Sequence, residues 1–96
     1  MTLEHLRSRY RSLILELAQG RGAHNVRVFG STARGEPTPE SDIDFLVDFE
    51  QGRTLLDLTG LSLDLEGILG CRVDVISSRG LRPRVESEVL LDVVSL

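Results

Sequence analysis

At 96 residues and 41 % hydrophobic content, the chain can build one modest core and has no length for a second folding unit. Its formal net charge of −4 argues against broad nucleic-acid binding, which calls for a basic face. The first residues, MTLEHLRSRY, are charged throughout and lack the apolar stretch of a signal peptide, and no run nears the roughly 20 apolar residues that cross a bilayer. A cytoplasmic protein of one domain, residues 1–96, is expected.

All eleven basic residues are arginine, which excludes a lysine nucleophile and a P-loop lysine. The single cysteine, Cys71, leaves no partner for a disulfide and no cysteine cage for a metal. Between Leu69, Gly70 and Val73 it reads as a buried strand thiol.

Thr2 is a candidate N-cap for a first helix over about residues 3–19. Leu3, Leu6, Tyr10, Leu13, Ile14 and Leu17 form one apolar stripe along it, and Gly20 and Gly22 end it. A short strand follows at Val26–Phe29, then a loop over 30–41 rich in glycine and proline. The next strand, about 42–49, alternates: Ile43, Phe45, Val47 and Phe49 face one way, Asp42, Asp44, Leu46 and Asp48 the other. A second helix spans 54–69, with Thr54 as N-cap and Asp57 completing a capping box. Gly70 stops it before a strand at 71–76. Strand, helix and strand of these lengths form a crossover unit, which makes the second and third strands parallel neighbours. Leu81, Val85 and Val89, with Pro83 in the first turn, indicate a short closing helix. His5 and His24 have no ligand neighbour at a useful spacing and are read as surface residues, the first on a helix and the second in a turn.

Leu55, Leu58, Leu61, Leu65, Ile68 and Leu69 give the second helix a broad stripe for the core, yet Leu56 and Leu63 lie nearly opposite it. A helix apolar on two sides is buried on two sides, so helix 54–69 is expected to meet another chain.

Between Arg34 and Arg53 stand six acids and no base. Most are read as a solvated face, Asp48 and Glu50 as a solvated strand end. Asp42 and Asp44, two apart at the start of a strand, point the same way and repel each other. Asp74, the one acid of the third strand, joins them if the strands are neighbours. Three carboxylates on one sheet edge make a hard-oxygen site for Mg²⁺ or Mn²⁺, and the cation would offset the repulsion. Magnesium at such sites typically bridges carboxylates to substrate phosphates. Gly30 permits close backbone approach, Ser31 offers a hydroxyl and an amide, and Arg34 a guanidinium suited to phosphate oxygens.

The pattern Phe29, Gly30-Ser31, then Asp42-Ile43-Asp44-Phe45 resembles the signature of the DNA polymerase β-like nucleotidyltransferases. The fuller stretch FGSTARGEPTPESDIDFLVDF, with VDVIS downstream, is similar to the minimal nucleotidyltransferases of bacteria and archaea, over nearly the whole chain. The resemblance implies an α/β (α+β) palm fold: a small mixed sheet with helices packed on one face. It also implies a mechanism. Asp42 and Asp44 would hold two Mg²⁺ ions that clamp a nucleoside triphosphate such as ATP. Asp74 would match the third acid, which binds the ion activating the acceptor hydroxyl or helps take its proton. Gly30 and Ser31 would grip the triphosphate; Arg34 is added to them from charge and position alone.

Minimal members commonly pair with a small HEPN-type toxin, act as its antitoxin, and in some cases adenylylate a tyrosine on it. Such a partner, or a homodimer, suits the second face of helix 54–69. Neutralisation by binding alone and small-molecule adenylylation of the aminoglycoside type remain as alternatives. The latter has no leftover segment for an acceptor pocket unless a dimer supplies one.

Overall fold

The computed structural model describes residues 1–36, 42–79 and 89–96. Thr2 opens the first helix as expected, its hydroxyl accepting the His5 N–H at 3.1 Å. The helix is not continuous: α1 (Leu3–His5) passes through a π turn (Leu6–Tyr10) into α2 (Arg11–Gly20). A π turn carries one residue more than an α turn. The apolar stripe therefore slips by one beyond it, so that Leu6, Ile14 and Ala18 are buried while Leu13 stands 40 % exposed, against the regular spacing.

The strands are β1 (Ala23–Phe29), β2 (Ile43–Phe49), β3 (Val73–Ser77) and β4 (Val94–Ser95), and the sheet order is β3-β2-β1-β4. β2 and β3 are parallel, as their link through α4 (Leu55–Leu69) requires. β1 runs antiparallel to both β2 and β4, which makes the sheet mixed. The alternation in IDFLVDF turns Ile43, Phe45 and Val47 into one core with Val28, Val73 and Val75 of the sheet and with Leu6, Ile14, Leu61 and Leu65 of the helices. Both long helices thus cover one face and leave the aspartate face of β2 on the other.

The capping box at α4 is present: Thr54 Oγ1 accepts the Leu56 N–H and Asp57 Oδ2 accepts the Thr54 N–H, each at 3.2 Å. Gly70 ends the helix in the left-handed conformation, φ 68°. Leu61, Leu65 and Leu69 are buried, but Leu55, assigned to the core stripe, is 75 % exposed in the first turn of the helix.

Other expectations need correcting. β1 begins three residues early, at Ala23, and carries His24 in the strand rather than in a turn. Its pairing with β2 is irregular between His24 and Arg27, where Asn25 takes a positive φ of 50°. Gly30–Ala33 is a helical turn, α3, rather than loop. Cys71 precedes β3 instead of lying in it; it is half-buried, and burial pushes its thiol up. Leu46, placed on the polar face, is fully buried outside the main core, as is Val89. The expected closing helix lies largely outside the described residues, which include only its helical end at 89–92. β4 was not expected: two residues give no periodicity, and it exists by pairing with β1.

Candidate active site

Asp42 immediately precedes β2, which the sequence expectation began one residue early, and the strand opens with Ile43 and Asp44. Ile43 must enter the core, so both aspartates are turned to the opposite face. Asp42 is exposed and Asp44 half-buried. The parallel pairing sets Asp44 directly beside Asp74, which is exposed on the same face. On the other side Asp44 pairs with Phe29, the last residue of β1. Gly30 therefore emerges next to the Asp44 carboxylate.

Gly30 has φ 76°, and a Cβ built on it would collide with Asp44 Oδ2. Only glycine permits both that conformation and that approach. It begins α3, with Ser31 as second residue and the Arg34 N–H closing the turn onto the Gly30 carbonyl at 3.1 Å. The Ser31 carbonyl accepts the Glu36 N–H at 2.9 Å, which fixes the exit of the turn.

Burial pushes the Asp44 carboxyl up to about 6, the charges of Asp74 and Asp42 push in the same direction, and Arg34 opposes them. Four of the six expected residues are thus in electrostatic contact through Asp44, and Gly30 touches it. Ser31 lies beside Gly30 on the same turn.

Arg34 is exposed and already engaged: its Nη1 donates to Asp92 Oδ2 at 3.0 Å, and its Nε lies 3.7 Å from Glu36 Oε2. No sequence signal pointed to Asp92, an acid 58 positions away in the C-terminal segment.

The three aspartates are hard-oxygen donors with unrelieved mutual repulsion, which suits a divalent cation. They do not close into a cage. Among the described residues, no three His, Cys, Asp or Glu side chains converge closely enough to hold an ion by themselves. An open row of this kind fits Mg²⁺, which keeps water ligands and takes further oxygens from substrate phosphates.

Asp48, farther along the same face, is not part of the row. Burial would raise its pKa, but hydrogen bonds from Ser78, Asn25 and Arg27 hold it below the usual carboxylate range. The Arg27 Nη2–Asp48 Oδ1 distance is 2.5 Å. Asp48 is a latch between β1 and β2, not a solvated strand end. Glu50 is exposed and pairs with Arg53 at 3.2 Å. A cleft of about 240 Å³ beside Phe49, Arg53, Leu58 and Ser77 lies at the far end of β2 and takes no part in the row.

A glycine turn packed on a strand aspartate, with a second acid in register on the neighbouring strand, is the arrangement the sequence motif called for. The family model of the Nucleotidyltransferase domain matches residues 10–94. The chain belongs to the nucleotidyltransferase domain family.

Among relatives of this nucleotidyltransferase, the protein adenylyltransferase MntA of Thermococcus cleftensis is 39 % identical over 94 residues, 98 % of this chain and 95 % of that protein. A solved minimal nucleotidyltransferase structure shares 55 % identity and superposes with a TM-score of 0.85, covering 100 % of this chain and 97 % of the other. At the level of fold alone, the chain also resembles a structure of the tri-AMPylated HEPN toxin of Shewanella oneidensis in complex with its MNT antitoxin. There the TM-score is 0.67 at 19 % identity, over 88 % of this chain and 66 % of that one. No described helix is long and apolar enough to cross a membrane.

Proposed function

We propose that this nucleotidyltransferase, working as a single minimal domain, moves AMP from ATP to a hydroxyl of a partner protein, a HEPN-type toxin that it thereby neutralises. The reading rests first on one observation: Asp44 stands in register with Asp74 while Gly30 packs against its carboxylate. The activity in the name of the Thermococcus relative supports the choice of adenylate and of a protein acceptor.

In this mechanism Asp42, Asp44 and Asp74 would hold the divalent ions, Mg²⁺ or Mn²⁺, which when bound would neutralise the triphosphate and polarise its α-phosphoryl group. Gly30 and Ser31 bring backbone amides to the phosphates, and Arg34 adds a guanidinium. The acceptor oxygen attacks the α-phosphorus in line, the bond to the β-phosphate oxygen breaks, and pyrophosphate leaves. The exposed Asp74 carboxylate takes the hydroxyl proton.

Intact mass spectrometry of the partner protein after incubation with this chain, Mg²⁺ and ATP tests the reading. One or more adenylates should appear on the partner, and none with the Asp42→Asn/Asp44→Asn protein. An unmodified partner in a stable complex would replace transfer with neutralisation by binding. That second reading is favoured by Leu56 and Leu63, which stand 80 % and 62 % exposed on α4.

A further inference from the structure

Arg34 presents a difficulty for its assigned role. It is 44 % exposed at the end of a four-residue turn, and a long side chain so placed ordinarily samples many rotamers. A guanidinium that must meet a triphosphate in one geometry would lose that freedom on every binding event. Asp92 removes the difficulty. Its Oδ2 accepts from Arg34 Nη1 at 3.0 Å, a single contact with a group that carries five N–H donors, while Arg34 remains close enough to the aspartate row to oppose the charge on Asp44. Glu36 cannot do the same work, since it is more distant at 3.7 Å and largely exposed.

What makes Asp92 a fixed anchor is the segment that follows it. Val94 and Ser95 pair with Val28 and Arg27 of β1, and the Leu96 N–H donates to the Val26 carbonyl at 3.1 Å. Leu96 is buried. Arg7 closes over this segment from the first helix, donating Nη2 to the Ser95 carbonyl at 2.5 Å and Nε to the Leu96 carbonyl at 3.2 Å. The anchoring pairs and hydrogen bonds therefore begin two residues after Asp92.

We propose that Asp92 is a positioning residue for the nucleotide: from the anchored C-terminal segment it holds the Arg34 guanidinium in the orientation that receives the triphosphate. The inference rests on the nucleotidyl-transfer reading above and deepens it. It assigns the C-terminal segment a part in substrate binding that the sequence motif, which ends at Asp74, does not include.

Equilibrium binding of α,β-methylene ATP with Mg²⁺ to the full chain tests it, with no acceptor required. Arg34→Ala should weaken binding about tenfold, as loss of a charge-assisted hydrogen bond does. Asp92→Asn should weaken it about threefold to fivefold, the range open to an exposed ion pair. The decisive readout is the double variant. Adding Asp92→Asn to Arg34→Ala should cost nothing more, whereas a merely structural role for Asp92 would weaken binding equally in both backgrounds. Asp92→Glu should recover part of the loss.

Equal losses in the two backgrounds, no loss, or tighter binding by Asp92→Asn would each overturn the proposal, the last by making Asp92 a competitor of the phosphates. If the unmodified chain binds no nucleotide, the transfer reading falls as well. If it binds, Asp42→Asn/Asp44→Asn abolishes binding and Asp92→Asn is silent, this inference alone falls.

Discussion

Gly30 and Asp44 share one space. The position that a Cβ would occupy on Gly30 is filled by the Asp44 carboxylate, whose Cγ lies 3.3 Å away, and the glycine holds φ 76°. Gly30→Ala therefore meets two penalties, a strained backbone and a displaced carboxylate. Loss of about 1–2 kcal/mol in urea denaturation is expected. Transfer activity should fall by about a hundredfold, since a displacement of about 1 Å at a reacting centre has that effect. Ordinary activity in the alanine variant would show that Asp44 has room to move without consequence.

The raised pKa of Asp44 has a defined effect on stability. With a folded value of about 6 against an ordinary 3.8, the folded state holds the proton more tightly than the unfolded one. The resulting stabilisation is complete below about pH 4 and is lost as pH rises through 6. At pH 8, without divalent ions, the ionised carboxylate costs the protein about 1 kcal/mol once solvent screening is allowed for. Asp44→Asn should then be the more stable protein at pH 8 in EDTA, by about that amount, with its advantage gone at pH 3.5. Mg²⁺ should raise the stability of the parent and not that of the variant. Melting curves at the two pH values, with and without Mg²⁺, check all three statements.

Asp48 behaves oppositely. Burial acts to raise its pKa, but its hydrogen bonds with Ser78, Asn25 and Arg27 prevail and lower it. Its contribution is present above the ordinary carboxylate value and disappears as pH falls through the depressed one. Asp48→Ala should cost about 1–2 kcal/mol at pH 7, the expense of leaving partly buried Arg27 unpaired, with nucleotide affinity unaltered. A matching loss of nucleotide affinity would move Asp48 into the site.

Leu56 and Leu63 point away from the core, so replacing them leaves the fold alone. Leu56→Glu/Leu63→Glu should change stability by less than about 0.5 kcal/mol per site. It should nevertheless abolish co-elution with a HEPN-type partner in size-exclusion chromatography. Retained co-elution would free this face of α4 from that role.

Most of what positions the site was legible because it depends on strand alternation and on one crossover. Asp42 and Asp44 had to share a face once Ile43 and Phe45 were assigned to the core. Asp74 had to join them once β2 and β3 were parallel. Thr54, Asp57 and Gly70 marked the ends of α4 through their own side chains and backbone.

The features that escaped detection are those with no local signal. The π turn at Leu6–Tyr10 is a packing adjustment that periodicity averages away. β4 is held by partners some 67 residues earlier, at Arg27 and Val28. Leu46 is apolar on a face otherwise set by aspartates, and its burial was hidden by the charges around it. Asp92 reaches Arg34 only through the tertiary fold.

The facing of Asp44 and Asp74 across two parallel strands also sets an arithmetic of chain length. Because side chains alternate along a strand, odd and even shifts differ in kind. One residue added between Gly70 and Val73, with β3 keeping its place, turns Asp74 into the core and brings a valine out beside Asp44. Two added residues turn Asp74 outward again but set it beside Leu46, with Arg72 next to Asp44. Register as well as parity therefore fixes the site, since a shift of either one or two residues parts Asp74 from Asp44. For this fold, the length of the connection after α4 is itself part of the site.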